Sequence, residues 1–158
     1  MSKKNIYLIL TLFIISFSLL GAFFIEYGLN HKPCKLCIYE RIPYILAILL
    51  IIEILFFKKN EKITLLILTL TFTISTVLAF YHFGVEQNFF SELSVCNASN
   101  ISETLSKEEL LDQLKQNNVS CKDVSFRFFG LSLASINTIF SFVLSVIFLK
   151  LFLNYEKN

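Results

Sequence analysis

Apolar residues fall into four long runs separated by short polar stretches, at about 6–24, 43–57, 63–83 and 128–152. A helix needs roughly 20 apolar residues to cross the hydrocarbon layer of a bilayer. The second run is the shortest and contains Glu53, so its span draws on residues ahead of Pro43. The pattern predicts spans over about 6–26, 40–57, 63–83 and 128–152. Loops at about 27–39 and 84–127 share one side, and the 58–62 connection lies on the other. So short a connection forces spans two and three to run antiparallel. The runs use nearly all of the apolar material and leave no soluble domain with its own core. The expected fold is a single all-α membrane domain over 1–158, an antiparallel four-helix transmembrane bundle.

The first run starts after Lys3 and Lys4, as a signal peptide does, but its apolar stretch exceeds the 7–15 residues of an h-region. Its exit, Gly21-Ala22-Phe23-Phe24-Ile25-Glu26, carries no small-x-small cleavage site. A retained helix is therefore expected. The 84–127 loop predicts one short amphipathic helix. Ser106 and Glu109 form a capping box, and Leu105 with Leu110 forms the matching staple. Leu110, Leu111 and Leu114 share a face, and Asn117-Asn118 ends the helix. Two placements fit: flat on the membrane surface, or packed on its own loop.

Composition sharpens this picture. Hydrophobic residues make up 55% of the chain, with 18 Phe against 4 Gly and 2 Pro. The net charge of +2 gives no basis for nucleic-acid binding. Counting Lys and Arg does not set the orientation, because Lys3, 4, 58, 59, 62, 150 and 157 balance Lys32, 35, 107, 115, 122, Arg41 and Arg127. Density does. Lys58-Lys59-Asn60-Glu61-Lys62 packs three lysines into five residues, which favours the cytoplasmic side. All four cysteines (34, 37, 96 and 121) fall on the opposite side, where disulfides persist. Both termini are expected inside and the cysteines outside.

The chemistry centres on Cys34-Lys35-Leu36-Cys37 at the mouth of span two. Two thiols at this spacing close a disulfide across a short turn, and the thiolate is the reactive form. A helix N-terminus lowers thiol pKa, and Arg41 follows Cys37 at i+4. Pro43 fits only a first turn, so the regular helix either includes Cys37 or starts near Ile42; both geometries keep Arg41 close to Cys37. Cys96 and Cys121 fit either a loop-closing disulfide, worth about 3 kcal/mol, or a second pair that exchanges with the first. Four cysteines allow three pairings. Zinc is disfavoured, because structural sites pair C-x-x-C with another close pair. His82, near the outer end of span three, is an interfacial anchor or a proton relay for a bound carrier, with Glu86 one turn on. Glu53 reaches the inner surface, and Ser135 and Asn137 are expected to bond between helices. Asn97, Asn100 and Asn118 head sequons that matter only in a eukaryotic secretory host.

Three stretches carry a family resemblance: Pro33-Cys34-Lys35-Leu36-Cys37-Ile38-Tyr39-Glu40-Arg41, Tyr81-His82-Phe83-Gly84-Val85-Glu86, and Cys121-Lys122-Asp123-Val124-Ser125-Phe126-Arg127-Phe128-Phe129-Gly130-Leu131-Ser132. With them the chain resembles the DsbB family of bacterial inner-membrane disulfide-forming proteins over nearly its whole length. The resemblance implies a membrane thiol oxidase that reoxidises a DsbA-like periplasmic dithiol oxidase of thioredoxin fold. Electrons then pass through the two cysteine pairs to a membrane quinone, ubiquinone or menaquinone. By motif position Cys96 forms the mixed disulfide, Cys121 exchanges with Cys34, and Cys37 faces the quinone. Arg41 holds the quinone and steadies the Cys37 thiolate, with His82 nearby. The chain departs from the family by having Phe126 in the neighbourhood of a frequent Trp, and Lys122 where an acid often follows the last cysteine. Because DsbA sits near about −120 mV, its reoxidation needs an acceptor of higher potential, which a quinone provides. The rival readings are a reductase of the vitamin K epoxide reductase type and a non-enzymatic scaffold with structural disulfides. The former usually carries its C-x-x-C near the last span.

Overall fold

The computed structural model describes residues 3–57, 60–91, 96, 120–122, 126–128 and 130–156. The amphipathic segment expected from Ser106 to Asn118 and the three sequons lie outside these residues. The described chain is almost entirely helical. Helix α1 spans Lys3–Phe23 and runs into a π-helical turn at Phe24–Gly28. A short α2 (Lys35–Tyr39) precedes α3 (Ile42–Phe57), and α4 covers Glu61–Glu86. A two-residue hairpin, β1 (Arg127–Phe128) with β2 (Leu131–Ser132), leads into α5 (Leu133–Glu156).

Among the described residues, three segments are long and apolar enough to cross a membrane: Lys4–Gly28, Glu61–Glu86 and Leu133–Tyr155. The expected second span corresponds to α3, whose 16 residues rise only about 24 Å. Pro43 sits in its first turn, where a missing N–H costs nothing. The apolar surface is turned inside out relative to a soluble protein. Phe13, Phe17, Phe56 and Tyr27 are each at least 75% exposed, as expected of side chains that meet lipid rather than water.

The helices share one core. Leu8 and Ile15 from α1, Ala47 and Ile51 from α3, Leu65 and Phe72 from α4, and Leu144 and Phe148 from α5 are all buried in it. Phe72 stacks on Phe148 at 5.4 Å and meets Tyr44 edge-on at 5.7 Å. Polar contacts fix the helix directions. Thr73 pairs with Ser145 and Ser75 with Ser141, so α4 and α5 are antiparallel. Lys4 is ion-paired with Glu61, tying the start of α1 to the start of α4. Thr64 Oγ1 lies 3.2 Å from the Asn60 carbonyl and 3.5 Å from Glu53 Oε2, which places the carboxylate beside the start of α4. Asn60 makes the turn between them at φ 57°, a conformation Asn tolerates better than most residues.

The fourth apolar run begins differently from its expected helix over 128–152. The stretch ahead of Leu133 forms the hairpin, because Gly130 takes a left-handed φ of 83° that breaks a helix. Ser132 then accepts the Ser135 N–H at 3.2 Å and starts α5 as an N-cap does. Ser135 accordingly bonds locally, to Ser132 Oγ at 2.9 Å, and makes no bond across helices among the described residues.

Packing rather than water exclusion holds a core within lipid. Removing the fully buried Phe72 ring therefore costs mainly its cavity, at about 24 cal/mol per Å³. Phe72→Ala is expected to lower stability by about 2 kcal/mol on that scale, measured by unfolding in bicelles, whereas Phe13→Ala on the lipid face leaves it within about 0.5 kcal/mol.

Candidate active site

The site lies where α2, the start of α3, the end of α4 and the start of α5 meet. Cys34 is the N-cap of α2 and has extended backbone, which leaves its sulfur facing the first turn. The Cys37 N–H donates to Cys34 Sγ at 3.2 Å. Both are free thiols, Cys34 buried and Cys37 half-buried. On the other face of Cys34 stands the His82 ring, with Nε2 at 3.5 Å from the sulfur. His82 Nδ1 donates to Glu40 Oε1 at 2.8 Å, and Asn137 Nδ2 donates to Glu40 Oε2 at 2.7 Å. Tyr44 OH reaches Asn137 Oδ1 and also Ser141, which in turn meets Ser75. A continuous polar chain therefore runs from a reactive sulfur down into the apolar core, through residues that are mostly buried.

This environment divides the two thiols. Cys34 is lowered to about 5, first by the hydrogen bond from Cys37 and then, against the cost of burial, by His82. The Cys37 thiol is pushed far up, because it donates to Cys34, is buried, and faces the negative charge of Cys34 and Glu40. The dithiol thus keeps one proton, on Cys37, and holds its negative charge on Cys34. Arg41 does not supply that charge stabilisation. Its guanidinium is ion-paired with Glu26 from the π-helical turn and lies over the Phe23 ring at 5.0 Å.

Arg41 and Cys37 nonetheless open into the same cavity, of about 440 Å³. Its walls are apolar (Ile14, Phe17, Ala22, Ile25, Ala134 and Phe140), and its polar rim carries Cys37, Glu40, Arg41, His82 and Asn137. A cavity of this size and lining suits a flat apolar molecule held by a few polar groups. On the opposite side, Cys96 and Cys121 form a disulfide with Cα atoms 5.6 Å apart. Both are buried in one small cluster with Cys34, Leu36 and Val85, against which Cys37 and Tyr81 pack. Glu86, expected as the partner of His82, is farther from it than Glu40 is, with Oε1 3.9 Å from Nε2. Gly84 leaves room for the Phe90 ring, which a Cβ would meet at 2.1 Å.

All the residues expected at the site are thus placed within it: Cys34, Cys37, Cys96, Cys121, Arg41 and His82. Sequence reasoning missed Glu40, Glu26 and Asn137 as members of the constellation. Glu40 had a signal, since a carboxylate between a C-x-x-C and a span is costly to bury without a partner. Glu26 had none beyond its place at the end of the first run.

A buried dithiol packed against a disulfide, at one end of membrane-length helices, defines a membrane protein of thiol–disulfide chemistry. A family model for disulfide bond formation protein DsbB matches residues 4–151, and the chain belongs to that family. It is 31% identical over 118 residues to disulfide bond formation protein B of Xylella fastidiosa, in two strains, covering 71% of this chain and 68% of that protein. It is 30% identical over 161 residues to an uncharacterized protein of Rickettsia prowazekii (strain Madrid E), covering 99% of this chain and 93% of that protein. The protein is therefore a membrane protein of disulfide bond formation.

The split between the thiols can be measured through the ultraviolet thiolate absorbance of the reduced protein. A lowered thiol keeps its thiolate above its pKa and loses it as pH falls through that value. The Cys34 signal is expected to persist at neutral pH and to vanish as pH falls through about 5. In His82→Ala the loss is expected at higher pH, and Cys34→Ser removes it.

Proposed function

We propose that the protein is a quinone-dependent thiol oxidase that reoxidises a DsbA-like periplasmic dithiol oxidase. The observation that carries the reading is the position of the Cys34–Cys37 pair. It packs on the Cys96–Cys121 disulfide on one side and opens on the other to an apolar cavity rimmed by Arg41 and His82. In this reading four helices cross the bacterial inner membrane as an antiparallel bundle. The termini and the 58–62 connection are cytoplasmic, and both cysteine pairs are periplasmic. The α2 turn brings the shorter α3 to the interface at its cysteine end.

Electron flow follows from the thiol chemistry. The reduced partner's thiolate attacks Cys96 and breaks the Cys96–Cys121 bond. A second partner thiolate then releases Cys96, and the partner leaves as a disulfide. The Cys121 thiolate attacks Cys34 of a Cys34–Cys37 disulfide and expels Cys37. Cys96 then displaces Cys34, which restores the loop disulfide and leaves both thiols of the inner pair reduced. This is the redox state seen here. When bound, the quinone supplies the two-electron acceptor. Arg41, steadied by Glu26, directs its N–H groups toward an acceptor oxygen in the cavity, because Arg binds planar oxygen acceptors well. His82 and Glu40 hold Cys34 as its thiolate, and Cys37 retains the proton.

The test is quinone reduction by the full chain in lipid, with a reduced DsbA-like substrate. Cys37→Ser is expected to abolish it. Arg41→Ala is expected to raise the apparent KM for quinone about 10- to 100-fold, the equivalent of losing a hydrogen bond from a charged donor, with kcat less affected. Unchanged kinetics in Arg41→Ala overturns the quinone site. If the wild type reduces neither ubiquinone nor menaquinone, the reductase or scaffold readings replace the oxidase. Thiol trapping in cells separates those two, since a structural disulfide stays oxidised whatever the quinone supply.

A further inference from the structure

The reduced pair does not stand alone. Cys34 Sγ, Cys37 Sγ and a His82 ring nitrogen all lie within 4.8 Å of one another. A tetrahedral zinc ion with bonds of about 2.3 Å to sulfur and 2.0–2.1 Å to nitrogen spaces a sulfur and a nitrogen about 3.6 Å apart, and two sulfurs about 3.8 Å apart. Cys34 Sγ and His82 Nε2 are already 3.5 Å apart. From this geometry we infer that the reduced dithiol and His82 form a binding site for a thiophilic d¹⁰ cation such as zinc or cadmium.

Two independent observations support a built site rather than a chance cluster. The first is the support behind the histidine. A metal-bound imidazole characteristically donates its other ring N–H to a carboxylate, which fixes its orientation and raises its basicity. His82 Nδ1 donates to Glu40 at 2.8 Å, and Asn137 in turn donates to the second oxygen of Glu40. The second is a buried carboxylate beside the three-residue group, close enough to complete it by a side-chain movement. Glu86 has Oε1 3.9 Å from His82 Nε2, its side chain is 7% exposed, and its Oε2 has no hydrogen-bond partner among the described residues. Two thiolates, one imidazole and one carboxylate make a donor set that zinc accepts. The cavity reaches both Cys37 and His82, which provides an entry path.

Binding releases two protons to solvent, the Cys37 thiol proton and the His82 Nε2 proton that faces Cys34, because only a thiolate and an unprotonated ring nitrogen ligate. No electrons move. The site exists only in the reduced state, since a Cys34–Cys37 disulfide has no thiolate to offer. Resting on the oxidase reading, the consequence is that a thiophilic cation traps the electron-loaded enzyme before it can reduce its acceptor. The binding itself needs no such reading.

The test uses the full chain in lipid nanodiscs, reduced, freed of reductant and kept anaerobic, titrated with cadmium. Sulfur-to-cadmium charge-transfer absorbance reports thiolate ligation, and competition against a chromophoric chelator gives the zinc affinity. One cadmium per reduced chain is expected, with no charge-transfer band in the same protein after oxidation of the inner pair. That comparison needs no substitution. The Cys96→Ser/Cys121→Ser double variant is expected to keep the band and Cys37→Ser to lose it. Glu40→Gln is expected to weaken zinc about 10- to 100-fold, the usual effect of losing the group that orients a ligating histidine. His82→Ala is expected to weaken it further. No band in the reduced wild type, a band that survives Cys37→Ser, or zinc affinity unchanged in His82→Ala overturns the site. Quinone reduction plays no part in any of these readouts, so failure of the oxidase reading leaves them interpretable.

Discussion

The contact between His82 and Glu40 organises this protein. A carboxylate and an imidazole removed from water are costly unless each finds a partner. Here they find each other, at 2.8 Å. Glu40 lies in the turn before α3 and His82 near the end of α4, and the second carboxylate oxygen takes its partner, Asn137, from α5. One ionisable pair thus ties three segments at a single level, on the apolar core and beneath the reactive sulfur. Truncating either partner removes the charge complement of the other and leaves Glu40 with Asn137 alone or His82 with Cys34 alone.

The second consequence is chemical. Because the imidazole is held from behind by Glu40, its free nitrogen points at Cys34 with little rotational freedom. Cys34 therefore holds charge while Cys37, one helical turn away, holds the proton. Two thiols of the same short motif are made unlike by their neighbours. A dithiol of this kind presents a nucleophile to one side and a protonated sulfur to the other. In the proposed oxidase that asymmetry would give direction to the transfer between disulfide and cavity.

Much of this was legible in the chain. Four apolar runs, the C-x-x-C at the mouth of the second, and the placing of Arg41 near it follow from period, length and spacing; the family resemblance brings His82 near it. What escaped did so for physical reasons. The start of the fourth apolar run at Phe128 reads as membrane-embedded, yet one left-handed glycine, Gly130, turns the chain into a hairpin there. Arg41 follows Cys37 by one turn, and spacing alone pairs them; the π-helical turn instead brings Glu26 to Arg41. Glu40 reads as a boundary charge, because sequence does not reveal that helices from three parts of the chain converge on it. Local spacing is visible in one dimension, whereas the partners of Glu40 come from residues 42 and 97 positions away.

The turn after α4 sets a leash. Tyr81 OH donates to the Ser91 carbonyl at 2.7 Å, and Phe90 stacks on Tyr81 in the space left by Gly84. Cys96 follows Ser91 by only five residues, a fully extended reach of about 18 Å. On the other arm Cys121 precedes Phe126 by the same number, and the Phe126 ring meets His31 edge-on. While these anchors hold, neither sulfur travels far from the ends of the helices, even after the bond between them opens. In the proposed oxidase, a soluble protein that reacts with Cys96 would have to come down to the membrane surface, where its encounters would depend on lateral density and on how its own charge suits the lipid headgroups. For such a protein the bilayer is part of the recognition surface.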